Sequence, residues 1–338
     1  MNVIYIGQYE PGSTSRMRGE HLSRLLPVKK FSVADISIPI QQTGKLFRSA
    51  GWRFYRGPLI NNINSYCEQI IDPATHYDLV WVDKGVFIQP SLLKKLKAQK
   101  ATIIHYTPDT AFAYNRSHLF FSGLLTYDFC ITTKSFELEA YKSHGAHEVF
   151  FCTQGYDPAI HRPVKTPKAK EGIGFVGLCE PFREEVAAKL LEEGIVVKIA
   201  GSGWEHFVRK HHHNANLQYA GKFLAGAAYA AFYSGCQAGL GLVSKKFPEL
   251  HTTRHFEIPA CGTALVTERN AETTRFFAED DVIFFSDIKE LVDRVRLALS
   301  DKEYLNTVST KGYQKVTKGG YDYESILRTL AQKTGLLA

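Results

Sequence analysis

The chain has 338 residues, of which 44% are apolar and 22% charged, and its 41 basic and 34 acidic side chains give a formal net charge of +7. This composition excludes a largely disordered chain, and the length favours two domains over one. The mild basic excess favours anionic partners such as nucleotides, acidic glycans or membrane surfaces, but it is too spread out to indicate a nucleic-acid-binding protein.

Short apolar runs rich in β-favouring residues alternate with helical patterns along the first half of the chain. Strands are predicted at residues 3–6, 79–82, 102–106, 129–132 and 149–151, and helices at 15–26, 91–99 and 135–144. Ser91 is expected to cap the second helix. This alternation predicts βαβ units built around a parallel sheet.

The stretch from Gln154 to Gly172 is polar and contains three prolines, which is typical of a connection between domains. Beyond it the α/β pattern resumes, with strands predicted at residues 173–176, 196–200, 238–243, 264–267 and 282–285 and helices at 182–191, 224–234, 255–260, 288–299 and 323–333. Two such halves predict a ligand cleft at their boundary, lined by polar residues that follow the strands.

The six cysteines lie far apart and form no C-x-x-C pair. We interpret them as reduced thiols of a cytoplasmic protein and expect no metal site. The N-terminus lacks the pattern of a signal peptide, and no run approaches the roughly 20 apolar residues that span a bilayer. Any membrane contact is therefore expected to be peripheral.

The strongest candidate site is the segment from Glu249 to Glu257, which is followed by an Ala-Cys-Gly-Thr turn. Its two carboxylates stand eight positions apart, across a loop and the start of a helix, and a carboxylate can accept two sugar hydroxyls at once. Gly262 suits the tight turn into the next strand. The same residues could also form only a helix cap and a core helix.

This E-x7-E pattern with its Ala-Cys-Gly-Thr turn resembles the donor-site signature of retaining glycosyltransferases with the GT-B fold. The string HTTRHFEIPACG resembles the CgeB-like, spore-maturation-type branch of that superfamily, and FVGLCEPFREEV, IAGSGW, DLVWVDKGVF and IIHYTPD agree with that branch. The resemblance covers most of the chain. It implies an α/β fold of two facing Rossmann-like domains with a cleft between them: an acceptor-side domain over residues 1–153, a nucleotide-sugar domain over 154–321, and a last helix over 322–338 that packs back on the first domain.

The resemblance also implies roles for particular residues. Glu257 would bind the ribose hydroxyls of a nucleoside-diphosphate sugar, and Glu249 would touch the donor sugar. The loop between them would lie close to the diphosphate, which makes donor contacts of His251, Thr252, Thr253 and Arg254.

Further donor contacts are expected after the strands of the second half. Arg183 follows a turn that begins at Gly177, and its planar guanidinium suits a diphosphate, although a solvated helix residue is the alternative. Gly201 and Gly203 form a turn that would let the backbone approach the nucleotide. Two weaker candidates complete the set: Tyr219, as a wall for the base, and Lys245, as a second cation or a surface residue.

In the first half, His105 and Asp109 flank the end of a strand. A carboxylate there could orient an acceptor hydroxyl or act as a general base, or Asp109 could simply stabilise the turn after Pro108. The loop residues Gly12, Ser13 and Arg16 are candidates for contacts with the acceptor or the donor phosphates, although an ordinary βα loop is the alternative.

Basic and aromatic residues are interleaved over residues 45–56. This run suits an anionic membrane surface or a lipid-phosphate acceptor, but a helix with a core-facing aromatic stripe and a solvated basic face also fits it.

We predict a metal-independent, cofactor-free glycosyltransferase, as in polysaccharide biosynthesis. It would move sugar with retention from a nucleoside-diphosphate sugar to a glycan, lipid-linked or protein acceptor, in the cytoplasm or at the inner membrane face. The alternatives are a nucleotide-sugar epimerase or hydrolase, a non-catalytic nucleotide- or glycan-binding protein, and a DNA-modifying sugar transferase that only the positive charge suggests.

Overall fold

The computed structural model describes residues 1–166 and 169–337. The chain divides into two compact units, of which unit 1 comprises Met1–Thr153 and Tyr323–Ala338 and unit 2 comprises Gln154–Asp322. Each unit is built around one six-stranded sheet. Among the described residues, no helix combines the length and the apolar character needed to cross a bilayer.

Unit 1 contains a sheet whose strands all run parallel, in the order β2-β1-β3-β4-β5-β6. The strands are β1 (Asn2–Gly7), β2 (Lys30–Asp35), β3 (Leu79–Asp83), β4 (Thr102–Thr107), β5 (Phe129–Thr132) and β6 (Glu148–Phe151). Every residue of the central β3 is buried, because helices cover both faces of the sheet. The edge strand β2, with only one buried residue, was not predicted from the sequence.

The helices of unit 1 are α1 (Thr14–Leu25), α2 (Ser37–Gln42), α3 (Lys45–Phe54), α4 (Pro58–Ile70), α5 (Pro90–Lys97), α6 (His118–Gly123) and α7 (Leu138–Ser143). Helix α1 begins at a side-chain cap, since the Ser13 hydroxyl accepts a hydrogen bond from the Arg16 N–H at 3.1 Å. The predicted cap at Ser91 is wrong, because Pro90 takes the first helical position and places Ser91 inside the first turn.

Unit 2 contains a second parallel sheet, in the order β12-β11-β10-β7-β8-β9. Its strands are β7 (Ile173–Val176), β8 (Val197–Ala200), β9 (Leu217–Tyr219), β10 (Ala238–Gly241), β11 (Ala264–Glu268) and β12 (Ile283–Phe285). Its helices are α8 (Pro181–Glu192), α9 (Glu205–Lys210), α10 (Gly226–Ser234), α11 (Arg254–Ala260), α12 (Thr273–Phe276), α13 (Ile288–Ser300) and α14 (Lys302–Lys318). The last helix, α15 (Tyr323–Lys333), belongs to unit 1, where it packs on α1.

Both sheets reverse their strand order at one point, between β1 and β3 in unit 1 and between β7 and β10 in unit 2. In an open parallel sheet such a point leaves a crevice at the carboxyl ends of the strands, where ligands bind. The predicted α/β class is confirmed, and each unit has one such crevice.

Candidate functional site

Two arginines meet at the reversal point of unit 2. Arg183, from the first turn of α8, and Arg254, the first residue of α11, place their guanidinium carbons 5.4 and 5.5 Å from the centre of the Phe175 ring. Both also donate long hydrogen bonds of 3.4 Å to the carbonyl of Leu242, just beyond β10. The crevice therefore holds two cations above the end of β7.

Arg183 lies in an environment with little water, whereas Arg254 is partly exposed. Arg183 is only 5% exposed, and burial, followed by the positive charge of Arg254, lowers its pKa from 12.5 to about 10. Glu180 offsets part of this cost, since its carboxylate lies 3.2 Å from Arg183 Nη1 and accepts from the Ser244 hydroxyl at 2.9 Å. The alternative of a solvated Arg183 is therefore wrong.

Hydrogen-bonding capacity remains at both guanidinium groups. In the described part of the chain, the buried Nε atoms of Arg183 and Arg254 have no hydrogen-bond partner. Leaving a buried donor unpaired costs free energy, and an anion in the crevice would remove that cost. The geometry thus suits an anionic ligand.

Glu257 lies one turn beyond Arg254 on α11. Its carboxylate accepts the hydroxyl of Tyr229 at 2.5 Å and lies 3.6 Å from Nε2 of His161. Burial and the Glu257 carboxylate raise the pKa of Tyr229 well above its ordinary value. Tyr229 and His161 were not predicted as site residues, because Tyr229 stands in the apolar pattern of a core helix and His161 in the interdomain stretch.

The glycine turns after β7 and β8 pack closely against each other. A Cβ at Gly201, where φ is +134°, would lie 2.0 Å from the carbonyl oxygen of Gly177, and a Cβ at Gly203 would lie 3.1 Å from the Cβ of Cys179. The Gly177 N–H also donates to the Ala200 carbonyl, at 2.9 Å. These glycines let the two loops pack against each other, and their predicted contact with the nucleotide stays a prediction.

The predicted diphosphate loop divides into a buried part and an accessible part. His251 is fully buried, donates from Nδ1 to Glu272 at 2.5 Å and accepts the Gln154 N–H on Nε2 at 3.0 Å. Thr252 is also buried, and its N–H donates to His255 at 3.0 Å. His251 and Thr252 thus hold the loop in place, whereas Thr253 and Arg254 keep partial exposure.

Three other predicted donor contacts lie nearer the surface. Lys245 pairs with Glu268 and lies 4.7 Å from the centre of the Phe182 ring. The Tyr219 hydroxyl is 3.4 Å from the Gly201 carbonyl. Glu249 acts electrostatically on Arg183, since its charge is among those that raise the pKa of that residue.

The crevice of unit 1 contains a buried ion pair that the sequence analysis missed. Arg18 of α1 donates to Asp83 at the end of β3 at 2.6 Å, and the Tyr5 hydroxyl donates to the same carboxylate oxygen at 2.8 Å. A polar cavity of about 100 Å³ opens beside them. Its lining consists of Gln8, Glu10, Ser13, Thr14, Ser15, Arg18, Asp83 and Lys84.

Asp109 is held by the residue that follows β3. Lys84 Nζ lies 2.6 Å from the Asp109 carboxylate, and both side chains are a little over one-third exposed, at 36% and 37%. Burial acts to raise the pKa of Asp109, but Lys84 outweighs it and holds the pKa below 3.8. Lys84 adopts φ of +69°, an uncommon conformation for a residue with a side chain.

His105 faces the interior of unit 1. It is 1% exposed, with its ring centre 4.6 Å from that of Phe120 and 5.2 Å from that of Tyr127, and burial lowers its pKa to about 3. An imidazole enclosed by aromatic rings cannot reach a substrate proton. We therefore leave His105 out of the candidate site.

Of the three loop candidates in unit 1, Gly12, Ser13 and Arg16, only Ser13 lines the cavity. Arg16 pairs with Glu20 at 2.7 Å on the surface of α1. Gly12 has φ of +83°, which a turn before the helix requires of glycine. In residues 1–166 and 169–337 as a whole, no three His, Cys, Asp or Glu side chains converge as metal ligands would.

Comparison with known proteins gives a family match and several solved structures with the same fold. Residues 180–332 match a family model described as "Glycosyl transferase-like". Anabaena HepE in complex with UDP and glucose is 12% identical, with 100% of both chains covered and a TM-score of 0.68. The fold is GT-B.

Two further solved structures resemble this GT-B chain over its whole length. Sucrose-phosphate synthase from Thermosynechococcus elongatus is 14% identical over 99% of this chain and 98% of that one, with a TM-score of 0.68. The UDP-forming trehalose-phosphate synthase from Burkholderia xenovorans, in complex with glucose-6-phosphate, is 12% identical over 99% and 100%, with the same TM-score of 0.68. No curated protein matches the sequence.

The predicted GT-B fold is confirmed, whereas the CgeB-like branch stays a prediction. At identities of 11–14% the likeness of these structures shows the fold alone. The family match adds that the segment carrying Arg183, Glu249, Arg254 and Glu257 is similar to glycosyltransferases.

Proposed function

We propose that this protein is a glycosyltransferase that binds a nucleoside-diphosphate sugar in unit 2 and transfers the sugar to an acceptor hydroxyl. The family match over residues 180–332 supports the reaction class. The complexes of Anabaena HepE with UDP and with UDP-glucose make UDP-glucose the first donor to test.

One observation carries the proposal. Arg254 and Glu257 stand three residues apart on α11, so they project from the same face of one helix, at a separation of about 5–6 Å between their Cβ atoms. A cation and a hydroxyl-accepting carboxylate at that spacing match the diphosphate and the adjoining ribose of a nucleoside diphosphate. Arg183 brings the second cation to the phosphate end.

The arginine pair would act most strongly on the leaving group. As the bond between the sugar C1 and the phosphate oxygen breaks, negative charge grows on the departing diphosphate. Two fixed guanidinium groups, of which that of Arg183 lies in an environment with little water, stabilise that charge without reorganising. We propose retention without a metal ion, with the leaving phosphate oxygen accepting the proton of the acceptor hydroxyl while the new C1–O bond forms on the same face.

The acceptor side is proposed to lie at the polar cavity of unit 1. Ser13 lines this cavity, and the Lys84–Asp109 ion pair is accessible at the end of the neighbouring strands. Because Lys84 keeps the Asp109 carboxylate ionised, that carboxylate would orient an acceptor hydroxyl. We propose a glycan, lipid-linked or protein acceptor, in the cytoplasm.

To test the proposal, a nucleotide sugar that is labelled in its sugar is incubated with the purified full chain, with and without glycan, lipid and protein fractions. The assay then measures which product contains the label. Transfer places the label in a new acceptor-linked product, and the configuration at C1 is then read by NMR. Label recovered only as free sugar, as an epimerised nucleotide sugar or as unchanged bound donor would refute the proposal in favour of a hydrolase, an epimerase or a binding protein. Repeating the assay in excess chelator tests metal independence.

A further inference from the structure

Helix α3 has an apolar stripe that faces away from the protein. Leu46, Ala50 and Phe54 recur every four residues and so lie on one side of the helix. Leu46 is 85% exposed, Phe54 59% and the adjoining Phe47 57%, and Ala50 is exposed as well. Residues with this spacing normally cover a core, so their exposure needs a physical reason.

The opposite side of α3 is fixed against the rest of unit 1. Gly51 is buried against α4, where a Cβ would lie 2.5 Å from the Cβ of Leu59. The Trp52 ring contacts Phe87 edge-on at 4.6 Å. These contacts set the rotation of the helix: Trp52 and Tyr55 pack inward on Phe87, as the alternative of a core-facing aromatic side expected, while the stripe of Leu46, Ala50 and Phe54 faces solvent.

The charged residues of the segment that carries the stripe all have one sign. Between Asp35 and Glu68 the sequence contains no acidic residue and four basic ones, Lys45, Arg48, Arg53 and Arg56. Arg53 extends along the stripe, with its guanidinium carbon 5.4 Å from the centre of the Phe54 ring. Long basic side chains of this kind place aliphatic carbons on apolar surface while the charge stays in water.

We propose that α3 docks on the surface of a bilayer that contains anionic lipids. A helix of ten residues is about 15 Å long, so it would lie in the plane of the interface, with its apolar side among the acyl chains and its basic residues at the headgroups.

The charge pattern favours an anionic bilayer over a second copy of the chain or a nucleic acid as the partner of this surface. A second copy meeting the first through the same face would bring Arg53 of each copy, beside its stripe, towards the other copy's cations, which disfavours a two-fold dimer. A nucleic acid would pair with the cations but leave Leu46, Phe47 and Phe54 exposed. An anionic bilayer satisfies the charges and the stripe together.

Vesicle sedimentation with the full-length protein tests the proposal. We expect binding to phosphatidylcholine vesicles that contain phosphatidylglycerol, weak binding to phosphatidylcholine alone, and release as salt screens the charges. Phe54→Trp places a reporter on the stripe itself, since the native Trp52 contacts Phe87 on the other side of the helix and Trp81 and Trp204 are only 2% and 0% exposed. Brominated lipids should quench the fluorescence that this substitution adds.

Paired variants separate the contributions of the apolar stripe and of the basic residues to vesicle binding. Leu46→Gln/Phe54→Gln, which removes apolar area, and Arg53→Glu/Arg56→Glu, which reverses two charges, should each lower vesicle partitioning by about tenfold or more. The matched controls are Phe223→Gln, at another strongly exposed aromatic side chain, and Lys29→Glu/Lys94→Glu, with the same change in charge. Both controls should bind like the wild type, and thermal unfolding checks the fold of every variant.

The results either support the proposal or overturn it. A wild-type protein that does not bind anionic vesicles, paired variants that bind as well as their controls, or binding of Phe54→Trp without quenching would each overturn it. A concentration-dependent dimer that the stripe variant abolishes would overturn it as well, in favour of self-association.

Discussion

Replacing Arg254 by glutamine should separate binding of the diphosphate from binding of the nucleoside. Glutamine removes the positive charge and keeps a polar group that can reach the Leu242 carbonyl, which Arg254 contacts at 3.4 Å. The loss of affinity should therefore fall on the phosphates, while the α11 backbone that presents Glu257 stays in place.

The expected magnitude follows from the charged hydrogen bond between the guanidinium and a phosphate oxygen. Hydrogen bonds to charged groups contribute about 1.5–3 kcal/mol, so the Kd for a nucleoside diphosphate should rise by about tenfold to a hundredfold. The Kd for the nucleoside should change by less than about twofold, since it offers no phosphate to the guanidinium.

The stability of the unliganded protein should not fall when Arg254 is replaced by glutamine. The fall in the pKa of Arg183 from 12.5 to about 10 corresponds to about 3 kcal/mol against its charged form, and Arg254 is the second cause after burial. Removing Arg254 relieves that repulsion. The free energy of unfolding of Arg254→Gln should thus equal or exceed that of the wild type.

Titration calorimetry with the nucleoside diphosphate and the nucleoside measures the first effect, and urea unfolding without ligand measures the second. Arg269→Gln is the matched control, because Arg269 lies in the same unit and pairs with the exposed Glu279 at 2.6 Å. Equal losses of affinity for both ligands, or a marked loss of stability, would mean that Arg254 has a structural role and does not bind phosphate.

Three further substitutions test other parts of the site and fold. Glu257→Gln should weaken the nucleoside and the nucleoside diphosphate alike, by about tenfold or more in calorimetry, because the carboxylate is proposed to bind the ribose that both ligands share. Since the pKa of His105 falls from 6.5 to about 3 on folding, the unfolded chain takes up the proton first and stability is lost as the pH falls through that range, by about 2 kcal/mol at pH 5; His105→Phe should remove this part of the pH dependence of urea unfolding. Gly201→Ala should lower the free energy of unfolding by about 2 kcal/mol or more, since its Cβ would overlap the Gly177 carbonyl.

Glu257→Gln has an outcome that would contradict its interpretation, and the other two substitutions each have a control variant. A Glu257→Gln protein that loses only diphosphate affinity would contradict the ribose assignment. His213→Phe, at an exposed histidine, should leave the pH dependence unchanged, and an equal effect of both histidine variants would refute the role of burial. Gly221→Ala has the same type of backbone, with φ of +105°, but open space around its Cβ, so it should cost less than Gly201→Ala.

The order of the strands was largely predictable, because it depends on local patterns, whereas helices α2, α4, α6, α9, α12 and α14 were not predicted. Of the twelve strands in the described residues, ten were predicted to within two residues, and β2 and β9 were missed. Both lie at the edge of a sheet, where fewer buried positions leave a weaker apolar pattern. The segment from Glu249 to Glu257 was recognised for a similar reason, since its spacing is visible in the chain itself.

The surroundings of single side chains were predicted less well. Arg183, Arg254 and Phe175 come from three separate segments, and only the strand order β11-β10-β7-β8 brings them together. His251 and Arg254 are three residues apart, across the loop that leads into α11. His251 is buried against Glu272, whereas Arg254 faces the crevice. No local pattern distinguishes them, because the partner of each lies far away in the chain.

The sequence by itself determined the α/β alternation, the boundary near Gln154 and the segment that carries Glu257, since apolar periodicity, proline content and motif spacing are properties of neighbouring residues. The tertiary structure alone decided that two arginines share one crevice, that Gly201 supports Gly177, and that the stripe of α3 faces outward. The physical reason is that the burial and pairing of a polar or apolar side chain depend on which distant segment the sheet order and the helix packing place beside it.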